Sequence, residues 1–253
     1  MVFFFARRAS EGTFPAFFRE FHMIAIVIIV VTMALGGLAA WRVRSAFSHW
    51  SGVAGSSGLT GAETAAAILR ASGIDNVRIV PVGGHLTDHY DPMNKVLALS
   101  ESVYASRSIA AQSVAAHECG HALQHAKAYA PLHLRMGLVS VQGIASNMVM
   151  WLPLLGGFFH ILAPRTMFFL MALGWGAILL FNLITLPVEF DASARAKRVL
   201  LERGMVQPGT EAVGVSRVLN AAGLTYVAAF LTSLAWALYY LLPMLLGGRR
   251  SDD

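Results

Sequence analysis

Four charge-free stretches, each long enough to cross a bilayer, restrict this chain to folds that lipid can hold. They are 22–41 (HMIAIVIIVVTMALGGLAAW), 137–163, 166–188 and 225–247. A membrane helix needs roughly 20 apolar residues, and each stretch meets that length. Hydrophobic residues are 56% of the 253 and charged residues only 13%, about half the charged share of a soluble domain.

With four spans, the segments 42–136 and 189–224 must share one side of the membrane. Together they hold 13 of the 19 Lys and Arg residues, which predicts a cytoplasmic polar domain by the positive-inside rule. Residues 1–21 pull the other way. There Phe3, Phe4, Phe5, Phe14, Phe17, Phe18 and Phe21 interleave with Arg7, Arg8 and Arg19, as in an amphipathic interfacial stretch. The alternative is that translation starts at Met23, directly before the first span. The net charge of +5 sits beside apolar segments, which suits topology signals and anionic head groups rather than nucleic acid. A single cysteine, Cys119, excludes an intramolecular disulfide. The first apolar stretch lacks a small-residue cleavage site, so it reads as an anchor rather than a signal peptide.

The segment 42–136 reads as a compact α+β domain. A Ser/Gly-rich connection at 45–58 leads to Thr60-Gly61-Ala62-Glu63, a capping box opening an Ala-rich helix that stops at Gly73. Strands are predicted at 77–82, 85–90 and 95–100, with Asp91-Pro92-Met93-Asn94 as a turn. A helix from Ser108 to His125 follows. A polar helix at 189–204 lies between the last two spans.

The helix from Ser108 carries His117-Glu118-Cys119-Gly120-His121. Residues four apart share a helix face, so His117 and His121 can offer imidazole nitrogens to one Zn²⁺. Glu118 falls beside the ion and is placed to take a proton from the attacking water and return it to the leaving amine. Three fixed positions in five match by chance at times. Here, however, Val114 to Leu123 contains no charge except Glu118, and two His and a Glu in an apolar helix are costly unless they hold a metal. The third ligand must come from elsewhere. Glu189, where the third span emerges on the same side, is the candidate, with Ala192 and Ala196 leaving room for close helix approach. An ordinary interfacial carboxylate would look the same, and the residues alone leave both open.

Other polar residues carry two readings each. His125, one turn past His121, is a supporting or substrate-contacting group; His117 and His125 are about 12 Å apart along the axis, too far to share an ion. Asp88, His89, Tyr90 and Asp91 read as a satisfied turn more readily than as a second metal site. Arg195 either stabilises an oxyanion or holds Asp191 or a lipid phosphate. Cys119 points away from the ligand face and reads as packing. The strand at 95–100 is expected to pair with extended substrate.

GHLTDHYDP (84–92), LSESVYASRSIAAQSVAAHECGHALQHAKAYAPLHLR (99–135), LITLPVEFDASARA (183–196) and LNAAGLTYVAA (219–229) resemble the YugP-type membrane zinc metallopeptidases. The resemblance runs from about residue 23 to residue 245. That family is related in its motifs to the HtpX and CAAX-prenyl-protease group. It implies one catalytic Zn²⁺ held by His117, His121 and Glu189, with Glu118 catalytic. It also implies a peptide or protein substrate, membrane proteins included. One departure stands out: HtpX-like chains carry Asp four residues after the ligand Glu, and this chain has Ser193. The expected molecule is thus an α+β membrane protein. Four transmembrane helices carry a small zincin-like domain in a bacterial inner membrane, with the active site on the cytoplasmic side. A non-catalytic zinc-stabilised scaffold is the main rival. A transporter is disfavoured by the near absence of ionisable residues in the spans. Oligomeric state leaves no signal in the sequence.

Overall fold

The computed structural model describes residues 13–157, 159 and 162–247. It is mostly helical, with four long apolar helices and one small sheet. Helix α1 (Thr13–Ser51) leads to α2 (Gly61–Ala71), then strands β1 (Arg78–Val82), β2 (His89–Asp91) and β3 (Val96–Ser100). A short α3 (Glu101–Tyr104), α4 (Ile109–Ala126) and α5 (Ala130–Leu152) follow, with a π-helical turn at Pro153–Gly157. Helices α6 (Pro164–Glu202) and α7 (Thr210–Gly247) are the last elements among the described residues. The expected interfacial stretch lies outside the described residues over 1–12, and its remainder belongs to α1.

Local chemistry sets several of these boundaries. The Thr60 hydroxyl accepts from the Glu63 amide at 3.1 Å, and the Glu63 carboxylate accepts from the Thr60 amide at 2.8 Å, a closed capping box. Gly73, at φ +68°, takes the left-handed conformation that ends α2. The Ser108 hydroxyl accepts from the Ala111 amide at 3.2 Å and caps α4. The Asp91 carboxylate accepts from the Met93 and Asn94 amides, which makes the predicted turn at 91–94.

Packing overrode the expected boundaries elsewhere. The connection expected at 45–58 starts only after Ser51, because α1 runs on to bury Phe47 and Trp50 in the core. The third span and the polar helix are one continuous helix, α6, with Pro187 inside it. A proline removes one backbone hydrogen bond, yet Val188, Ala192, Ala196 and Leu200 are all fully buried and hold the helix together across that point. Likewise α5 begins at Ala130 and α7 at Thr210, well before the hydropathy rises. The second strand, β2, is shorter and later than the predicted 85–90, because Leu86 takes a positive φ and the chain bends over 83–86.

Sheet order is β1-β3-β2, with β3 parallel to β1 and antiparallel to β2. This corrects the expectation that 95–100 pairs with substrate: both edges of β3 are taken, and Leu97 is fully buried. Leu97, Leu99, Ile68, Val103 and Ile109 join Trp50 in one core beneath α4. The long helices instead expose large apolar side chains outward, among them Ile24, Val30, Ile144, Leu173 and Leu245. Such a surface is costly in water and expected against lipid.

Candidate metal centre

Three ligand-type side chains from two helices converge. The Glu189 carboxylate oxygen Oε2 lies 3.3 Å from His117 Nε2 and 3.6 Å from His121 Nε2. The ligand atoms of all three lie within 4.8 Å of one another, the one such group among the described residues. Zinc bonds of about 2.0–2.2 Å in tetrahedral geometry put neighbouring ligand atoms about 3.3–3.5 Å apart, so the donor set fits zinc by type, and the two histidine–Glu189 distances are close to that spacing. Glu118 is 92% buried (8% exposed) and makes no hydrogen bond or ion pair with another side chain among the described residues.

The site exists because α4 and α6 nearly touch. A Cβ on Gly120 would sit 2.5 Å from the Ala192 carbonyl oxygen and 3.0 Å from its Cα. Ala192 and Ala196 were expected to leave such room, and both are fully buried. Gly120 escaped notice, although a glycine inside a helix costs about 1 kcal/mol against alanine and so asks for a packing reason.

Each histidine is oriented from behind. Ser193 Oγ lies 3.2 Å from His117 Nδ1, at the position where HtpX-like chains carry Asp. Gln124 Oε1 lies 3.0 Å from His121 Nδ1, and the Gln124 amide donates to the Val188 carbonyl and to Asp191, each at 2.8 Å. With Nδ1 protonated, both rings donate backward and turn Nε2 toward the centre. Gln124, fully buried, carries no metal-ligand signature, which is why sequence reasoning missed it, whereas Ser193 stood out only as a departure from the HtpX-like pattern. Ser193→Ala should weaken zinc binding by about tenfold, and Ser193→Asp should restore it, because outer partners contribute on that scale. Competition against a chelating dye measures both.

The remaining candidates separate. His89 and Tyr90 line the same cavity as the ligands, about 270 Å³, together with Glu118, Arg135 and Tyr226. His125 is outside it, its Nδ1 3.0 Å from the Tyr90 hydroxyl and its ring 5.8 Å from that of His133. Burial lowers the His125 pKa, helped by His133 and Lys95. Arg195 is turned from the cavity: its Nε donates to Asp191 at 2.6 Å and its guanidinium lies over the Tyr129 ring. Of its two readings, holding Asp191 is the one realised. The guanidinium in the cavity belongs instead to Arg135, which pairs with Glu189 Oε1 at 3.0 Å. Nothing in the sequence distinguished it from an ordinary cation at the start of a span.

Asp88 accepts from the Ser100 amide at 2.7 Å and from its hydroxyl, so that carboxylate is satisfied, but 89–91 is strand β2 rather than the expected turn, because its backbone pairs with β3. Cys119 is fully buried, its thiol pushed up by burial and by the Glu118 charge. Burial opposes charging His121, but Glu189, Glu118 and Gln124 outweigh it and raise the pKa. A proton and a metal ion would therefore compete for the same anionic pocket.

Comparison with known proteins identifies the family. Residues 25–245 match the family model described as "Putative neutral zinc metallopeptidase". The chain is 46% identical over 225 residues to the "Putative membrane protease YugP" of Bacillus subtilis (strain 168), covering 88% of this chain and 98% of that protein. No solved structure matches the chain. The match includes His117, His121 and Glu189 and most of each of the four long helices, and the chain belongs to this family of neutral zinc metallopeptidases.

Proposed function

We propose that the chain is a membrane-embedded zinc endopeptidase, with His117, His121 and Glu189 as ligands of one zinc ion and Glu118 as general base. The observation that carries this reading is the convergence of the three ligand atoms with a buried, unpaired Glu118 in one cavity. Bound zinc would supply Lewis acidity, making a water nucleophilic and polarising the scissile carbonyl.

The chain's own residues do the rest. Glu118 takes the water proton and delivers it to the amine that leaves. Arg135 and Tyr226, both lining the cavity, are placed to donate hydrogen bonds to charge developing on the carbonyl oxygen. The outer edge of β2, unpaired among the described residues, borders the cavity through His89 and Tyr90 and offers backbone groups to an extended peptide. The sheet, α4 and the Glu189 helix together make a zincin-like unit. The four long helices cross a bacterial inner membrane, with 42–136 on the cytoplasmic side as the positive charge distribution indicates. Protein substrates, membrane proteins among them, fit this setting, and nucleic acid does not.

A structural zinc scaffold is the weaker reading. Such sites close with four protein ligands, whereas this one has three, an open cavity and an unpaired carboxylate. The test is the full chain purified in detergent and assayed on casein. About one zinc per chain and cleavage that a chelator abolishes and zinc restores are expected. Zinc-loaded protein that cleaves no casein or peptide would leave only the scaffold.

A further inference from the structure

A groove of about 550 Å³ lies between α1 and α7, where both helices pass from the apolar spans into the polar domain. Trp41 closes the first charge-free stretch, and Leu224 stands directly before the last one. Both line the groove at its membrane end, Trp41 61% and Leu224 39% exposed. An exposed tryptophan at that point marks the head-group level of a bilayer. Toward the polar domain the floor is Trp50, only 4% exposed. Helix α7 comes this close because residue 214 is glycine: a Cβ there would lie 2.5 Å from the Trp50 ring.

The walls present hydrogen-bond donors and no carboxylate. Arg42 and Arg217 enter from the two opposite helices, and both are exposed. Among the described residues neither makes an ion pair. The contrast is with Arg135 and Arg195, which are paired with Glu189 and Asp191. Asn220, one turn from Arg217, accepts from the Lys197 ammonium at 2.7 Å through Oδ1. A lysine can only donate, so this contact fixes the amide and leaves its N–H groups for the groove. It also brings a third positive charge to the rim. Ser45 adds a hydroxyl on the Arg42 side.

This order of surfaces selects the occupant. A donor-only lining with unpaired guanidinium groups suits an anion with several acceptor oxygens. The apolar surface of Trp41, Ala46, Ala221 and Leu224 beside it suits hydrocarbon. A soluble phosphate would use the first part and leave the second bare. A second copy of this chain would set arginine against arginine. We propose that the groove binds one anionic glycerophospholipid. Arg42, Arg217 and the Asn220 amide hold its phosphate, and its acyl chains start along Trp41 and Leu224. The site is independent of the peptidase reading, and its lipid bridges α1 and α7.

The test uses the full chain in neutral maltoside micelles, titrated with phosphatidylglycerol. Mass spectrometry of the intact complex counts the lipids bound. About one phosphatidylglycerol per chain is expected, at least about tenfold tighter than phosphatidylcholine, as hydrogen bonds to a charged group warrant. Equal binding of the two lipids overturns the proposal. Arg42→Gln and Arg217→Gln should each weaken binding by at least about tenfold. Arg44→Gln, exposed on α1 but outside the groove, should stay within about twofold. Diffuse attraction to a basic surface would cost all three about fivefold alike, and that result overturns the site. Ala46→Leu keeps every charge and fills the groove, so it should also lose at least about tenfold; wild-type binding by it places the lipid elsewhere. Soluble glycerol phosphate should not displace the lipid. Full displacement would make this a site for a free phosphate and overturn the lipid assignment. Without added lipid, Arg42→Gln and Arg217→Gln should unfold at the wild-type temperature, because both side chains are exposed and unpaired.

Discussion

Replacing Glu118 by Gln is expected to lower peptide cleavage by about a thousandfold, within the range that general acid–base groups contribute, while zinc content stays at the wild-type level. The two expectations separate because of where the carboxylate stands. Glu118 lines the cavity with His117, His121 and Glu189 but is not among the converging ligand atoms. Glutamine keeps the shape and loses the ability to take a proton. The exchange removes a charge that is 8% exposed and unpaired among the described residues, so it should not destabilise the fold. Metal analysis beside a kcat measurement on one peptide decides the matter. Wild-type turnover in the zinc-loaded variant would remove Glu118 from the mechanism.

The second large effect is expected far from any proton transfer. Gly120→Ala adds a single methyl group, and that group would lie 2.5 Å from the Ala192 carbonyl oxygen with the Ala192 Cα at 3.0 Å. Both obstacles are backbone atoms, which cannot rotate aside. Ordinary contact needs about 3.5–4.0 Å, so α4 and α6 must part by about 1 Å. The proposed ligands His117 and His121 ride on α4 and Glu189 rides on α6. A metal centre holds its distances to about 0.2 Å, and zinc affinity should fall by about two orders of magnitude, toward the upper end of the roughly 1–3 kcal/mol that overpacking costs. Gly137→Ala is the control, since its Cβ would meet nothing within 4 Å and zinc affinity should not change. Tight zinc binding by Gly120→Ala would show that the two helices do not fix the ligand spacing.

Legibility in the sequence followed the range of the interaction. The capping box at Thr60, the stop at Gly73, the turn after Asp91 and the helix start at Ser108 depend on groups within three or four residues, and each appears as read. The ends of the long helices were misjudged for a single reason. Hydropathy marks where a lipid-facing surface stops, not where the backbone hydrogen bonding stops. Helix α1 runs past Trp41 to bury Phe47 and Trp50, and α6 runs through Pro187 into the polar domain. The strand at 95–100 was found, but its neighbours were not. Pairing order is a property of three segments at once, and placing β3 in the centre is what excludes it as the substrate strand.

The sequence by itself marked one half of the candidate metal centre and the lipid character of the whole. Two histidines and a glutamate on one helical turn, in an apolar helix, can be read from spacing because an α-helix repeats every 3.6 residues. Only the tertiary structure decided how that half-site is completed. It brought Glu189 within 3.3 Å of His117 across 72 residues, set Ser193 and Gln124 behind the two imidazoles, and exchanged Arg195 for Arg135 as the cation facing the cavity. These are contacts between side chains on different helices. Their geometry depends on how closely α4 and α6 pack, and that closeness rests on the missing side chain of Gly120 against Ala192.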